Sequence, residues 1–474
     1  MCEYAWALMR AHIFGLLLLS TCNFNPDHIN DLPTELLNQI FRDAAADLPS
    51  LSKVSRRFHG MAQPQLYKNV SFGKEPQRFS SCSLLLFMRT ISTSPDLAKK
   101  VKSLEMSCMQ RCYQGADCGD FQWMKKEERV AIENICMGYV QNLQLWSRSD
   151  WTQELKNGTI GAFTQLLLLW LPNLVSISLQ GQTWDAFHLL TLISRTVPKK
   201  TMFPHLKHLD LRCKSDHTGR KNTKFAFSGF RFLLRITSLR SLTVDMDEPS
   251  TPWPAALHAP REPSTLTSLE ITLRHEENIG TILHLVPYLQ KLTWKVSLED
   301  KRNLSCDILQ TALLGCSTLQ KIRIIPKPAF GVFEQSPTVT LQGTISFIDF
   351  HHLRNLEIPF SMLLGWGEPN RVVLTDVLPK CLHHLIVLGN RMVKHQGEMW
   401  GTIGLLNVLR PYLVDVIHGQ GPVPRELKTL TSRIGSYQSR EHVSEQVESE
   451  YRPVTRLNDE LRSVCKIVGV EFNP

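Results

Sequence analysis

From Val101 onward the apolar residues recur in one short pattern, Leu-x-x-Leu-x-Leu. It reads Val101-Leu104-Met106, Leu174-Ile177-Leu179, Leu206-Leu209-Leu211 and Leu239-Leu242-Val244. It continues as Leu266-Leu269-Ile271, Leu289-Leu292-Trp294, Leu319-Ile322-Ile324, Leu353-Leu356-Ile358 and Leu382-Leu385-Val387, with a weaker copy at Val140-Leu143-Leu145. The eight copies from Leu174 to Leu382 span 208 residues, so they lie about 30 apart, at intervals of 23 to 34. The last two apolar positions of each copy alternate, which predicts a short strand with one buried face. Several intervals show helical spacing instead: Ile160 to Leu171, Trp184 to Val197 and Ser305 to Leu314. The last opens on a capping serine, Ser305, and stops at Gly315.

One strand and one helix per unit, stacked in parallel, predict an α/β fold: a leucine-rich-repeat solenoid with strands inside and helices outside. The uneven intervals predict irregular units with loop insertions. Cys213 to Asn222 is polar, and Pro249 to Pro263 holds prolines at 249, 252, 254, 260 and 263, so both read as exposed excursions. Past Asn390 the period fades. Met399 to Leu413 has helical spacing, and Ser439 to Tyr451 is rich in Glu, Gln and Ser. An amphipathic helix over Leu457 to Cys465 and a strand over Val468 to Phe472 then suit a terminal cap, which a solenoid needs over its last open edge. The resulting division is an N-terminal extension over 1–28, a helical module over 29–72, the repeat array over 73–395 and a cap over 396–474.

The module reads Ile29-Asn30-Asp31-Leu32-Pro33-Thr34-Glu35-Leu36-Leu37-Asn38-Gln39-Ile40-Phe41. Asp31 is a candidate helix cap, and Pro33 suits a first turn. Leu36, Leu37, Ile40 and Phe41 fall on one apolar face at helical spacing. A second helical pattern follows in Leu48, Leu51, Val54, Ser55 and Phe58, then a strand-like Val70-Ser71-Phe72. Some 40 residues bury little core, so such a cluster leans on a neighbour or a partner.

Leu-Pro-x-Glu-Leu-Leu-x-x-Ile-Phe, followed after a gap by Leu-x-x-Leu-x-x-Val-Ser-Arg-x-Phe, resembles the F-box. The trailing Ala-x-Pro-x-Leu-Tyr-x-x-Val-x-Phe is similar to the version found in many fungal F-box proteins. The resemblance implies a substrate-recognition subunit of a Skp-cullin-F-box ubiquitin ligase, docked on a Skp-type adaptor. Carried over, the adaptor-binding residues are Leu32, Pro33, Leu36, Leu37, Ile40, Phe41, Val54, Ser55 and Phe58. The linker Ala44-Ala45-Ala46 departs from the family, which more often places a larger apolar residue there.

The repeat pattern also predicts a surface, because residues between the buried positions of a strand point to its other face. On a concave face these would include His208, Asp210, Lys291, Lys295, Lys321, Arg323, Glu357 and His384, the candidate substrate-binding set. Lys291, Lys295, Lys321 and Arg323 would form a local positive strip. Two readings stay open for it: a docking strip for an acidic segment of a target protein, or an ordinary solvated face.

Composition adds limits. The 474 residues are 43% hydrophobic and 20% charged, as in a globular protein, and the net charge of +9 is too mild for a dedicated nucleic-acid module. The 12 cysteines show no CxxC pair or dense framework, which fits reduced thiols in the cytoplasm or nucleus. Cys108, Cys112 and Cys118 form the tightest group but lack a fourth ligand for structural zinc. His351-His352 and His383-His384 sit in neighbouring copies, yet adjacent strand residues face opposite ways, so each pair offers a given site one nitrogen. The apolar run Ile13 to Leu19 resembles a signal-peptide core, but a helix on the first domain or an upstream extension of the reading frame is the preferred reading, because an intracellular-type module begins at Ile29. It is too short to span a bilayer, which takes about 20 apolar residues.

There is no Gly-rich phosphate loop, no His-Glu-x-x-His and no Gly-x-Ser-x-Gly. The expectation is therefore a binding protein with no catalytic, cofactor-binding or metal-binding residues. Its expected partners are a Skp-type adaptor, the cullin-RING ligase behind it and an unidentified protein target, with no nucleic acid and no membrane. Two rivals are a secreted or membrane-associated repeat protein and an F-box regulator without ubiquitination targets.

Overall fold

The computed structural model describes residues 32–44, 47–72, 81–107, 130, 134–138, 155, 160–181, 203–213, 230, 232–245, 263–273, 275–297, 303–327, 340–365, 374–388, 409, 426–433, 458–467 and 469–473. Trp184 to Val197, the copy at Val140, Pro249 to Pro260, Ile13 to Leu19, Ser439 to Tyr451 and Cys108, Cys112 and Cys118 lie outside them. The chain forms two compact units. The first comprises Met1–Ser178 with Phe203–Leu206, and the second Leu179–Met202 with Lys207–Pro474.

Among the described residues the first unit begins with helices α1 (Thr34–Asp43), α2 (Leu48–Leu51) and α3 (Arg56–Lys68). The residue that caps α1 is Pro33, with no side-chain cap hydrogen bond; Asp31 lies outside the described residues. Proline lacks the N–H that an interior position would have to satisfy, so the chain enters α1 directly from it. The second helical pattern is two helices, because the turn at 52–55 breaks it. Ser55 is extended there, and its hydroxyl accepts from Phe58 N at 3.1 Å, which starts α3. Helix α3 runs straight into β1 (Asn69–Phe72), which pairs in parallel with β2 (Ser103–Ser107) from Asn69↔Ser103 to Phe72↔Met106. Between them lie α4 (Ser81–Thr93) and α5 (Pro95–Lys100), and α6 (Ile160–Trp170) follows β2. Leu84, Leu85, Met88, Leu104, Met106, Leu166 and Leu167 are buried. The next strand, β3 (Ser176–Gly181), contains the division between the units.

The second unit holds β4 (His208–Cys213), β5 (Ser241–Asp245), β6 (Ser268–Leu273), β7 (Lys291–Ser297), β9 (Lys321–Lys327), β11 (Asn355–Pro359), β12 (His384–Leu388), β13 (Thr429–Arg433) and β14 (Glu471–Asn473). Each pairs in parallel with the next in that order. Parallel neighbours need a crossover. Helix α7 (Glu276–Leu285) supplies it between β6 and β7, and α8 (Cys306–Leu314) between β7 and β9. β8 (Asn303–Ser305) and β10 (Thr340–Gln342) form a separate parallel pair, and α9 (Phe360–Leu364) and α10 (Leu374–Val377) lie between β11 and β12. Every apolar position of the copies from Leu206 to Val387 is buried.

One backbone clamp recurs. Two consecutive N–H groups at the start of a strand donate to one carbonyl at the start of the strand before it. Lys207 O accepts from Arg240 N and Ser241 N at 2.9 Å each, and Gln290 O accepts from Gln320 N at 2.8 Å and Lys321 N at 3.0 Å. The residue just before a copy's first leucine adds a side-chain bond backwards. Thr265 Oγ1 donates to Thr237 O at 2.7 Å, Thr318 Oγ1 to Leu289 O at 2.8 Å and Cys381 Sγ to Leu353 O at 3.3 Å.

The strand series does not stop at Asn390. β13 and β14 extend the same parallel order, with a helix over 458–467 between them. β13 escaped the pattern because Leu427 and Leu430 are followed by Ser432 where a third apolar residue would stand. Ser432 is nonetheless buried, and among the described residues its hydroxyl has no hydrogen-bond partner.

Candidate docking surfaces

The N-terminal helices separate the predicted adaptor-binding residues into two groups. Leu37, Phe41 and Phe58 form the core of the module with Leu48, Leu51 and Ala62. Leu37 and Phe41 stand four residues apart on one side of α1, and the Phe41 and Phe58 rings meet edge to face at 5.3 Å between centroids. Ser55 caps α3. Leu32 and Ile40 are half-buried against this core, as is Ala44 of the alanine linker, and the Arg57 guanidinium donates to Leu32 O at 3.0 Å.

Pro33 is exposed, Leu36 is 49% exposed and Val54 is 56% exposed. The single apolar face expected of Leu36, Leu37, Ile40 and Phe41 is thus two. One is used internally; the other leaves large apolar side chains in water. Full burial of one such side chain is worth about 1.5–3 kcal/mol, so Leu36 and Val54 are free to stabilise a contact with a partner.

In the second unit the residues between the buried strand positions do lie on the other face, but not as one positive strip. Lys295 bonds Glu270 across neighbouring strands at 2.6 Å, and Arg323 is ion-paired with Glu357. Glu357 is 5% exposed beneath that guanidinium, so the expectation of an open Glu357 is corrected. Asp210 bonds Arg212 at 2.9 Å, and that hydrogen bond raises the guanidinium above its ordinary value. His208, Lys291 and Lys321 are exposed. His384 Nδ1 lies 2.6 Å from Thr429 Oγ1.

The histidine pairs do not occupy matching places. His384 aligns with Asn355, so His351 and His352 fall in the turn before β11. His383 instead bonds Glu426 at 2.8 Å, which with Arg354 holds that carboxyl below the ordinary carboxylate range. Among the described residues no group of three or more His, Cys, Asp or Glu side chains could hold a metal ion. Among them, too, no helix is long and apolar enough to cross a membrane.

Two features here were not legible in the sequence. The partition of neighbours Leu36 and Leu37 depends on where α3 packs. The pairing of Lys295 and Arg323 depends on strand register: Glu357 is the direct register partner of Arg323, whereas Glu270 stands two residues before Thr272, the partner of Lys295. No curated protein matches the chain. Residues 29–73 match the F-box-like family, so the helices that bury Leu37, Phe41 and Phe58 and expose Leu36 and Val54 are an F-box-like domain.

Proposed function

We propose that this chain is a substrate receptor of a Skp-cullin-F-box type ubiquitin ligase. In this reading the F-box-like domain docks on a Skp-type adaptor, as such domains typically do, and the strands of the second unit hold a target protein. The carrying observation is the exposure of Leu36 and Val54 on a domain whose core is already complete without them. Leu32, Pro33 and Ile40 would extend that contact, with Leu37, Phe41, Ser55 and Phe58 shaping it from below. The evenly clamped parallel strands support the finer reading of a leucine-rich-repeat solenoid of the fungal F-box type. The receptor itself would perform no chemistry. It would raise the local concentration of a target beside the ubiquitin-loaded enzyme, in the cytoplasm or nucleus.

The test is recovery of a purified Skp-type adaptor on the immobilised full-length protein. Leu36→Asp with Val54→Asp should lower recovery at least about tenfold, since two charges would be buried unpaired, while the melting curve stays that of wild type. Equal recovery by the wild type and this variant would overturn the docking reading.

A further inference from the structure

The strand starts of the second unit carry a charge pattern distinct from the strip read in the sequence. The residue just before each strand and the strand's first residue are both solvent-accessible on β4, β5, β6, β7, β9, β11, β12 and β13. Those positions hold Lys207, Arg240, Lys291, Lys321, Arg354 and Lys428, and no Asp or Glu; the last strand, β14, starts instead on the exposed Glu471 and ends the pattern. The chain as a whole is nearly balanced, with 53 basic and 44 acidic residues, so composition alone would put near-equal numbers of each sign there. Arg354 is met by Glu426 at 3.3 Å, from the turn before β13. Among the described residues Lys207, Lys291, Lys321 and Lys428 make no ion pair, and the Arg240 guanidinium bonds only the carbonyls of Thr237 and Thr265.

The next row along the strands, in which Glu357 is buried, differs. There Asp210, Glu270 and Glu357 each have a cation of their own in Arg212, Lys295 and Arg323. Carboxylates are thus neutralised locally, while among the described residues the strand-start cations other than Arg354 are left without counter-charge. Lys291 and Lys321 are direct register partners. Like charges placed opposite each other on adjacent strands destabilise the pair. A bound anion would remove that cost.

We propose that these strand starts form a track for an extended acidic segment of a protein, lying across the strands. The proposal rests on the reading of the second unit as the surface that holds a target, and is independent of adaptor docking. Strands lie about 4.8 Å apart and an extended chain rises about 3.3 Å per residue, so roughly ten residues cross from β4 to β13. The polar neighbours on the track, Gln290, Gln320, Asn355 and Ser241, can bond peptide groups. A protein segment fits better than nucleic acid. Duplex DNA carries a charge about every 1.7 Å, denser than one cation per strand step, and the track has no Phe, Tyr or Trp on which bases could stack.

The experiment uses the full-length protein and three fluorescein-labelled probes: an alternating Glu-Ser peptide of about twelve residues, its Gln-Ser counterpart and a short DNA duplex. Wild type should bind the Glu-Ser peptide preferentially, and more weakly as salt rises. Lys291→Glu with Lys321→Glu should weaken this at least about tenfold, whereas the charge-matched Lys99→Glu with Lys466→Glu should stay within about twofold. Adaptor recovery, measured on the same proteins, should not change, and a loss or absence there bears on the docking reading alone. Failure of wild type to bind the Glu-Ser peptide, equal binding of both peptides, an undiminished Lys291/Lys321 variant, or a preference for the duplex would each overturn the track.

Discussion

Leu36 and Leu37 are the same residue type, adjacent in the chain, with opposite fates. Leu37 is 1% exposed and Leu36 is 49% exposed. A step of about 100° around α1 separates them, and only the position of α3 decides which faces the core. The two should therefore respond differently to substitution. Phe58→Ala, which empties the site against Phe41, should cost about 3–5 kcal/mol of stability, and Ser55→Ala, which removes the α3 cap, about 1 kcal/mol. Leu36→Ala should stay within about 0.5 kcal/mol, as surface changes do. Urea midpoints at constant slope measure all three. A Leu36→Ala loss as large as that of Phe58→Ala would mean that Leu36 belongs to the core.

At the scale of elements, α7 and α8 pack closely enough that glycine positions acquire distinct meanings. Gly280 lies in the interior of α7, and a Cβ there would sit 3.5 Å from Ala312 Cβ on α8, an ordinary contact. Gly280→Ala should therefore stabilise by about 0.5–1 kcal/mol through helix propensity. Gly343 follows β10 with φ +81°, and a Cβ there would meet Asp307 Oδ1 at 2.7 Å. Gly343→Ala should cost at least about 1–2 kcal/mol for the left-handed backbone alone. Adding Asp307→Ala should recover the steric part but not the backbone part. Thermal melts of the single and double variants separate these contributions, and full recovery in the double variant would refute the backbone term. Ser305 caps α8 as its chemistry predicts, its hydroxyl accepting from Ile308 N, whereas Gly315 ends the helix with a right-handed φ of −63° and does not use glycine's left-handed freedom. Helix α7 lacked such a signal: His275 at its start makes no capping bond, and its first turn carries Glu276 and Asn278, both buried. The Glu276 carboxylate is used across elements, accepting from Ser305 N at 2.8 Å.

At the scale of the whole molecule, buried thiols tie stability to pH. Burial raises Cys306 from 9.0 to about 12, and Cys316 and Cys465 from 9.0 to about 11. The folded chain therefore keeps protons that the unfolded chain releases. This contribution is complete below about pH 9 and is lost as the pH rises towards the folded values. Urea midpoints should fall between about pH 8 and 10.5, and fall less in Cys316→Ala, which cannot ionise there. An equal fall in both proteins would show that Cys316 does not contribute.

The repeating Leu-x-x-Leu-x-Leu pattern by itself determined that parallel strands would recur with one buried face, because a period of two and a fixed apolar spacing permit little else. The F-box-like stretch was legible too, since its apolar and turn residues stand at set separations along one chain. Only the tertiary structure decided what depends on distant neighbours. Register paired Lys295 with Glu270 and Arg323 with Glu357, which removed them from the positive strip. Burial made Ser432 a core position of β13 although serine carries no apolar signal. The packing of α3 on α1 left Leu36 and Val54 in water. Local spacing encodes which residues can form an element; which side of that element meets solvent, and which charges meet each other, follows from contacts between residues far apart in the chain.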